Sequence, residues 1–223
     1  LSDHLRACVN RDEDSVEMVY MSGTATHQAD FGTIVGALGR VLGENPIAKL
    51  FIFGHLDLDE FAALKPYSDR IRTHPFVEWE QMPKHLAGSH INLAPLEIGN
   101  PFCEGKSELK YIEGAAFGLV TVASGTKTMS NAIDNGVTGF VCNDEGEWYA
   151  ALTSLVRDNG LREKIVKRAM HDAIDRYGPV ALAREAQGAY RNIIEHFRTR
   201  HDIMGQSLSV TWVVPMAFSG SGG

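Results

Sequence analysis

The sequence predicts an α/β fold built on a parallel sheet, and three observations carry that expectation. Short apolar runs rich in β formers alternate along the chain with longer stretches whose apolar residues recur at helical spacing. The first of those runs ends in a glycine turn, at Gly23. Residues 91–124 read as one complete βαβ unit: an apolar strand, a polar loop containing glycine, a helix and a second apolar strand. A parallel crossover of this kind leaves its loop at the carboxyl end of the first strand, where open α/β sheets bind ligands.

Residues 1–14 are polar and charge-rich and close on Asp12-Glu13-Asp14, so residues 1–15 are expected to form a lead-in or linker. Residues 16–21 (VEMVYM) make the first strand, turned by Ser22-Gly23-Thr24. Asp30 is placed to cap a helix whose Ile34, Val35, Leu38, Val41 and Leu42 share one face, and Asn45-Pro46 ends it. Residues 49–54 (KLFIFG) are the next buried strand, 59–68 a short helix, 76–77 a brief extended piece after Pro75, and 82–87 another short helix. The βαβ unit follows as strand 91–96, a helix starting near Ser107 and strand 119–123. Beyond it come a helical turn at 130–135 with Gly136 after it, a strand at 138–142 and a helix at 145–157.

From residue 161, Ile165, Val166, Ala169, Met170, Ala173 and Ile174 keep helical spacing. Residues 180–201 make a last long helix with Tyr190, Ile193, Ile194 and Phe197 inward. Residues 207–215 (SLSVTWVVP) and the Gly-Ser tail at 216–223 read either as a linker or as the start of a following domain. The folded domain is thus expected over 16–203, with 204–223 outside it.

At 223 residues and 44% hydrophobic content, the chain is long enough for one large domain or one and a half small ones. Its net charge of −7 argues against a general nucleic-acid or membrane-surface binder, either of which would favour a basic face. Cys8, Cys103 and Cys142 have no CxxC spacing and cannot all pair, so reduced thiols and a cytoplasmic setting are expected. No apolar run approaches the roughly 18 residues of a membrane span, and no signal-peptide order opens the chain. Leu in place of Met at position 1 suggests a piece of a longer protein.

The chemistry concentrates in the loop and helix after strand 91–96. With a helix starting near Ser107, Lys106, Lys110 and Glu113 fall at i, i+4 and i+7 on one side. A helix N-terminus presents unpaired N–H groups and partial positive charge, so the backbone near Ser107 together with Lys106 could receive a diphosphate. A carboxylate accepts two hydrogen bonds in parallel, which suits Glu113 to the vicinal hydroxyls of a ribose. The competing reading is a surface ion pair between Lys110 and Glu113 at i, i+3, worth about 0.2–0.5 kcal/mol. Asp57-Leu58-Asp59 has a DxD pattern able to hold a divalent metal, but both aspartates also serve as helix caps, and no metal site is assigned. Thr126-Lys127-Thr128 follows strand 119–123 at the same edge. No Ser-His-Asp order, HExxH, Walker loop or zinc spacing occurs.

The order Asn100-Pro101-Phe102, Lys106-Ser107, Lys110, Glu113-Gly114-Ala115-Ala116, Gly118 and Val122-Ala123-Ser124 continues with Ala132-Ile133, Gly136, Gly139-Phe140-Val141 and residues 158–162. It resembles the C-terminal half of the family-four (group 1) retaining glycosyltransferases, from about residue 20 to residue 177. The resemblance implies one half of a GT-B fold, a Rossmann-like parallel sheet flanked by helices that binds a nucleotide-diphospho-sugar. A glycan or lipid-linked acceptor would be held by an N-terminal half outside this chain, so the chain alone is expected to be inactive. The implied activity is that of a hexosyltransferase acting with retention in polysaccharide biosynthesis, with no obligatory cofactor or metal. The implied location is the cytoplasm, with or without membrane association of the intact protein.

Glu113 matches the second glutamate of the family's E-x7-E motif, the one that holds the ribose hydroxyls. Lys106 and Glu113 are the residues on which catalysis would rest. Gly23, Thr24, Lys106, Ser107, Lys110, Glu113 and Trp79 would hold the donor, with Trp79 near the base. Two positions depart from the pattern. Gly105 stands where the first glutamate belongs, with Glu104 one residue early. The turn after the first strand has no Arg or Lys through His27, so Lys106 and the Gly23-Thr24 backbone would supply the charge stabilisation, with His27 as an additional contact. A GT-B nucleotide-sugar epimerase and a non-catalytic α/β interaction module are the alternative readings.

Overall fold

The computed structural model describes residues 14–23 and 27–202, apart from the side chains of Trp79 and of residues 199–202. Six strands, β1 (Val16–Ser22), β2 (Ala48–Gly54), β3 (Ile71–His74), β4 (Ile91–Ala94), β5 (Val120–Ser124) and β6 (Phe140–Cys142), form an all-parallel sheet in the order β3-β2-β1-β4-β5-β6. The helices are α1 (His27–Gly32), α2 (Val35–Glu44), α3 (Met82–Leu86), α4 (Pro101–Glu104), α5 (Leu109–Ala116), α6 (Lys127–Ala132), α7 (Glu145–Arg157), α8 (Asn159–Tyr177) and α9 (Pro179–Asp202). The chain divides after Gly178 into a sheet-bearing unit and a unit that contains α9.

Every residue of β1 is buried, as a strand covered on both faces requires. Alternation sends Met18 and Tyr20 to one side with Leu50, Ile52, Ile91, Leu93, Val120 and Val122, in the cluster that α2 and α7 complete. Val19, Met21, Phe51 and Phe53 pack with Met82 and Leu86 of α3, and Ala94 and Ala123 pack with Tyr111 and Ala115 of α5. The strand order reverses at the centre: β1, β2 and β3 step outward in one direction and β4, β5 and β6 in the other. The carboxyl ends of β1 and β4 therefore flank the topological switch point, the place where such sheets accept ligands.

Several elements differ from the sequence expectation. The third strand lies at 71–74 in place of 76–77; three of the four residues of IRTH are polar because an edge strand pairs on one side only. Residues 59–68 are two 3-10 segments, Leu58–Glu60 and Ala62–Arg70, the second containing Pro66, and Asp57 caps the first by accepting the Asp59 N–H at 3.0 Å. The single helix expected near Ser107 is two. Asn100 caps α4 by accepting the Phe102 N–H at 3.0 Å, Pro101 sits in its first turn and Gly105 ends it, so α5 begins only at Leu109. The turn expected at 130–135 is α6, which starts at Lys127 because Thr126 caps it. Asp30 does not cap α2, whose N-cap is Ile34; it lies within α1. Tyr190, Ile193, Ile194 and Phe197, expected inward, are 42–52% exposed.

Cys103 and Cys142 are buried free thiols, whereas Cys8 and residues 203–223 lie outside the described residues. No helix among the described residues is long and apolar enough to cross a membrane.

At the carboxyl edge β1 and β2 are tied together: Ser22 Oγ donates to His55 O, and the His55 N–H donates to Ser22 O at 3.2 Å. This approach needs Gly54, whose φ is +108° and where a Cβ would stand 1.8 Å from Ser22 O. Gly54→Ala is expected to destabilise the protein by on the order of 3 kcal/mol, backbone strain and overpacking acting together. Denaturant unfolding would show it as a lower midpoint at unchanged slope. A loss under about 1 kcal/mol would contradict the geometry.

Candidate functional site

The helix α5 lies hard against the sheet. Asn92, buried in β4, donates through Nδ2 to Lys110 O at 2.7 Å and to Thr121 Oγ1 at 3.1 Å. Gly114 permits the approach, since a Cβ there would stand 2.3 Å from Thr121 Oγ1 and 2.7 Å from Asn92 Nδ2. With Tyr111, Gly114 and Ala115 buried, Lys110 and Glu113 occupy one flank of the helix, about a turn apart. Lys110 reaches back to β1: its Nζ donates to Met21 O and lies 5.4 Å from the centre of the Tyr20 ring.

Burial is the main cause of a Lys110 pKa lowered to about 8; the charge of Lys106 acts in the same direction, while Glu113 and Asp30 oppose it. Glu113 is half-buried, and burial raises its carboxyl pKa against the opposing charge of Lys110. Among the described residues its carboxylate has no hydrogen-bond partner, and the Lys110–Glu113 ion pair of the competing reading does not form.

The second half of the site is built on Asp30, 2% exposed in α1. Its Oδ2 accepts from Lys106 Nζ at 2.8 Å and faces His27 Nδ1 at 3.3 Å, and its Oδ1 accepts from the Glu97 N–H at 3.2 Å and the Cys103 thiol at 3.3 Å. Burial alone would raise the Asp30 carboxyl, but the hydrogen bonds from Lys106, Cys103 and Glu97 and the Lys106 charge hold it below the usual carboxylate value. His27 is pushed down by burial and by the charges of Lys110 and Lys106, with Asp30 opposing. His27, Asp30, Lys106, Lys110 and Glu113 are thus linked in one charged group beside the switch point.

Lys106 belongs to the loop ahead of α5 and is held on Asp30, so the expected helical face holds only Lys110 and Glu113. Ser107 is exposed in the same loop, and Gly23 is exposed at the end of β1 with open space where a Cβ would point. Thr24 and the side chain of Trp79 lie outside the described residues; the Trp79 backbone opens a 3-10 turn, Trp79–Gln81. Glu104 is engaged by the protein's own backbone, accepting the Lys127 N–H at 3.0 Å and the Gly99 N–H at 3.2 Å, which hold it below its usual pKa.

Asp57 and Asp59 are exposed, and Asp57 is used as a cap. Asp30, Glu97 and Cys103 bring possible metal-ligating atoms within 4.8 Å of one another, and there the Lys106 ammonium already supplies the cation. Farther along the carboxyl edge a cavity of about 170 Å³ is lined by Thr33, Leu96, Ile98, Ser124, Asn143, Asp144, Glu145 and Trp148, and by none of the expected donor residues. Sequence reasoning missed the Asp30 network; the one signal was an acid set between Ala29 and Phe31.

The sheet order and its flanking helices define a Rossmann-like α/β domain of the GT-B glycosyltransferase type. Residues 17–158 match the family model "Glycosyl transferases group 1", and the chain belongs to that family. Among solved structures it is similar to HepE from Anabaena in complex with UDP and glucose, at 14% identity and a TM-score of 0.61, over 80% of this chain and 49% of that one. TarM from S. aureus gives 14% identity and a TM-score of 0.61, over 80% and 36% of the two chains. The C-terminal domain of LpcC, a group 1 glycosyl transferase from Francisella tularensis, gives 14% and 0.56, over 79% and 92%. The chain thus spans about half the length of HepE. No curated protein sequence shows a significant match.

The Lys110 pKa near 8 lies below the ordinary lysine value of about 10.4. Between those two values the unfolded chain binds the extra proton, so this group makes stability rise with pH across the window. Below about 8 the cost of the buried ammonium is fully present. The stability difference between wild type and Lys110→Met, measured by denaturant unfolding, is therefore expected to move in favour of wild type as pH rises from about 8 to 10. A constant difference over that range would show that the ammonium is not desolvated.

Proposed function

We propose that this chain is the donor-binding half of a retaining hexosyltransferase. It takes a sugar from a nucleotide-diphospho-sugar for transfer to a glycan or lipid-linked acceptor held by the rest of the protein. The observation that carries this reading is Glu113, a half-buried carboxylate with no hydrogen-bond partner among the described residues, beside a desolvated lysine at the switch point. Membership of the group 1 family supports it, and so do HepE structures in complex with UDP and with UDP-glucose.

In the proposed reaction the bond from the anomeric carbon to the diphosphate oxygen breaks, the acceptor oxygen bonds to the same face of that carbon, and the acceptor's hydroxyl proton passes to the departing diphosphate oxygen. The negative charge left on the diphosphate must be stabilised by groups already in place. Lys106, with the backbone of Ser107 and of Gly23-Thr24, takes that charge, and Lys110 adds to it. Glu113 accepts hydrogen bonds from the ribose hydroxyls, and Trp79 lies near the base. With ammonium groups in this role no metal is required. The proposed setting is polysaccharide biosynthesis in the cytoplasm, with residues 16–203 as the donor domain.

Calorimetric titration with UDP, GDP and ADP is expected to give saturable binding of at least one of them, weakened about tenfold or more by Glu113→Ala, the loss of charged hydrogen bonds. Affinity unchanged by that substitution would remove the assignment of Glu113, and no binding of any nucleotide would favour a non-catalytic module. Residues 1–223 alone are expected to transfer no sugar to an acceptor. Robust transfer by this chain would refute the division of labour, and release of an epimerised sugar without acceptor would point to an epimerase.

A further inference from the structure

We infer that Asp30 is a positioning residue that fixes Lys106 at the switch point to receive the diphosphate, an inference that rests on the donor-binding reading above. A carboxylate has about four lone-pair sites, and Asp30 is surrounded on both oxygens: Lys106 and His27 at Oδ2, Glu97 N–H and the Cys103 thiol at Oδ1. Its side chain is 3% exposed, so it has little surface for solvent or ligand, while the side chains of Lys106 and His27 keep 23% and 17%. The Lys106 ammonium carries three donors, of which Asp30 takes one and leaves the others for an oxyanion. Without this anchor a lysine on a four-carbon stem would sample many rotamers above an exposed loop.

Two effects of Asp30 on a bound diphosphate oppose each other. As a charge it repels the ligand; as an anchor it places the lysine. The geometry favours the anchor, because the Lys106 ammonium 2.8 Å away offsets the carboxylate's field at the distance of any ligand. The same contacts tie α1 to the loop after β4 at Glu97 and to α4 at Cys103, so Asp30 also sets the height of the loop from which Lys106 rises.

The test is UDP titration by calorimetry on wild type, D30N, K106A and the double variant, with thermal melting run alongside to confirm folding. D30N and K106A are each expected to weaken UDP about tenfold, as removal of an orienting partner commonly does, and D30N is expected to add nothing in the K106A background. An equal loss in both backgrounds would show a purely structural role, and tighter or unchanged binding by D30N would show a charge brake or no role; any of these overturns the inference. Should D30N not fold, Lys106→Arg leaves Asp30 intact and keeps the charge while moving it; about tenfold weaker UDP supports positioning, and unchanged affinity overturns it. Absence of UDP binding by wild type would sink the donor reading. In that case NMR of the lysine side chains decides this inference: D30N must move the Lys106 ammonium resonance, and an unmoved resonance overturns it.

Discussion

The reversal of strand order between β1 and β4 is the constraint on which the candidate site depends. Neighbouring strands whose following segments diverge leave a gap at their carboxyl ends that neither segment can fill with apolar side chains. Polar groups collect there, and those that are buried must find partners or carry a large desolvation cost. Asp30 meets that requirement by drawing donors from His27 of α1, the loop after β4, α4 and the loop ahead of α5 onto one carboxylate. Removing any one donor would leave the others holding a less satisfied buried charge, so the loop and α1 are kept in register by the same group.

The resulting charge arrangement has the form that the proposed diphosphate site requires. Lys106 is offset by Asp30, so it adds little net field at long range, but among the described residues Asp30 takes only one of its three donors. Lys110 is desolvated and held on Met21 O, and an approaching oxyanion would favour its charged form. Glu113, one turn along α5, keeps an acceptor without a hydrogen-bond partner among the described residues. Groups held in place before the ligand arrives need little reorganisation when charge develops, which is the main means by which a site of this kind acts.

The parts of this arrangement that were legible in the sequence are the local ones. β1, β2, β4 and β5 are buried on both faces and read as continuous apolar runs; α7 begins and ends at the expected residues because Asp144 caps it and its apolar stripe is regular. β3 was hidden because tertiary contacts justify its polar residues: Arg72 lies 3.3 Å from the centre of the Phe51 ring and pairs with Glu17 at 2.6 and 2.8 Å. Lys110 and Glu113 could be paired from spacing, being on one helix. Asp30 could not, because Glu97, Cys103 and Lys106 are 67, 73 and 76 residues away in sequence, and only the fold brings them to it. The break between α4 and α5 was signalled by Asn100-Pro101 and Gly105, an N-cap, a first-turn proline and a terminating glycine.

Gly105 itself has a physical account. Its φ of −82° suits any residue, and a Cβ there would meet only the carbonyls of Phe102 and Pro101 at 3.6 Å, so the backbone does not exclude a glutamate. Glu104, one residue earlier, is spent on the N–H groups of Gly99 and Lys127 and pins the loop to the start of α6. The two lysines of the site already face two carboxylates, Asp30 and Glu113. A third beside Lys106 would tip the group towards negative charge and weaken its attraction for a diphosphate. With Asp30 as the counter-ion of Lys106, glycine at 105 adds no further carboxylate to the loop, and Glu104 directs its own onto the N–H groups of Gly99 and Lys127.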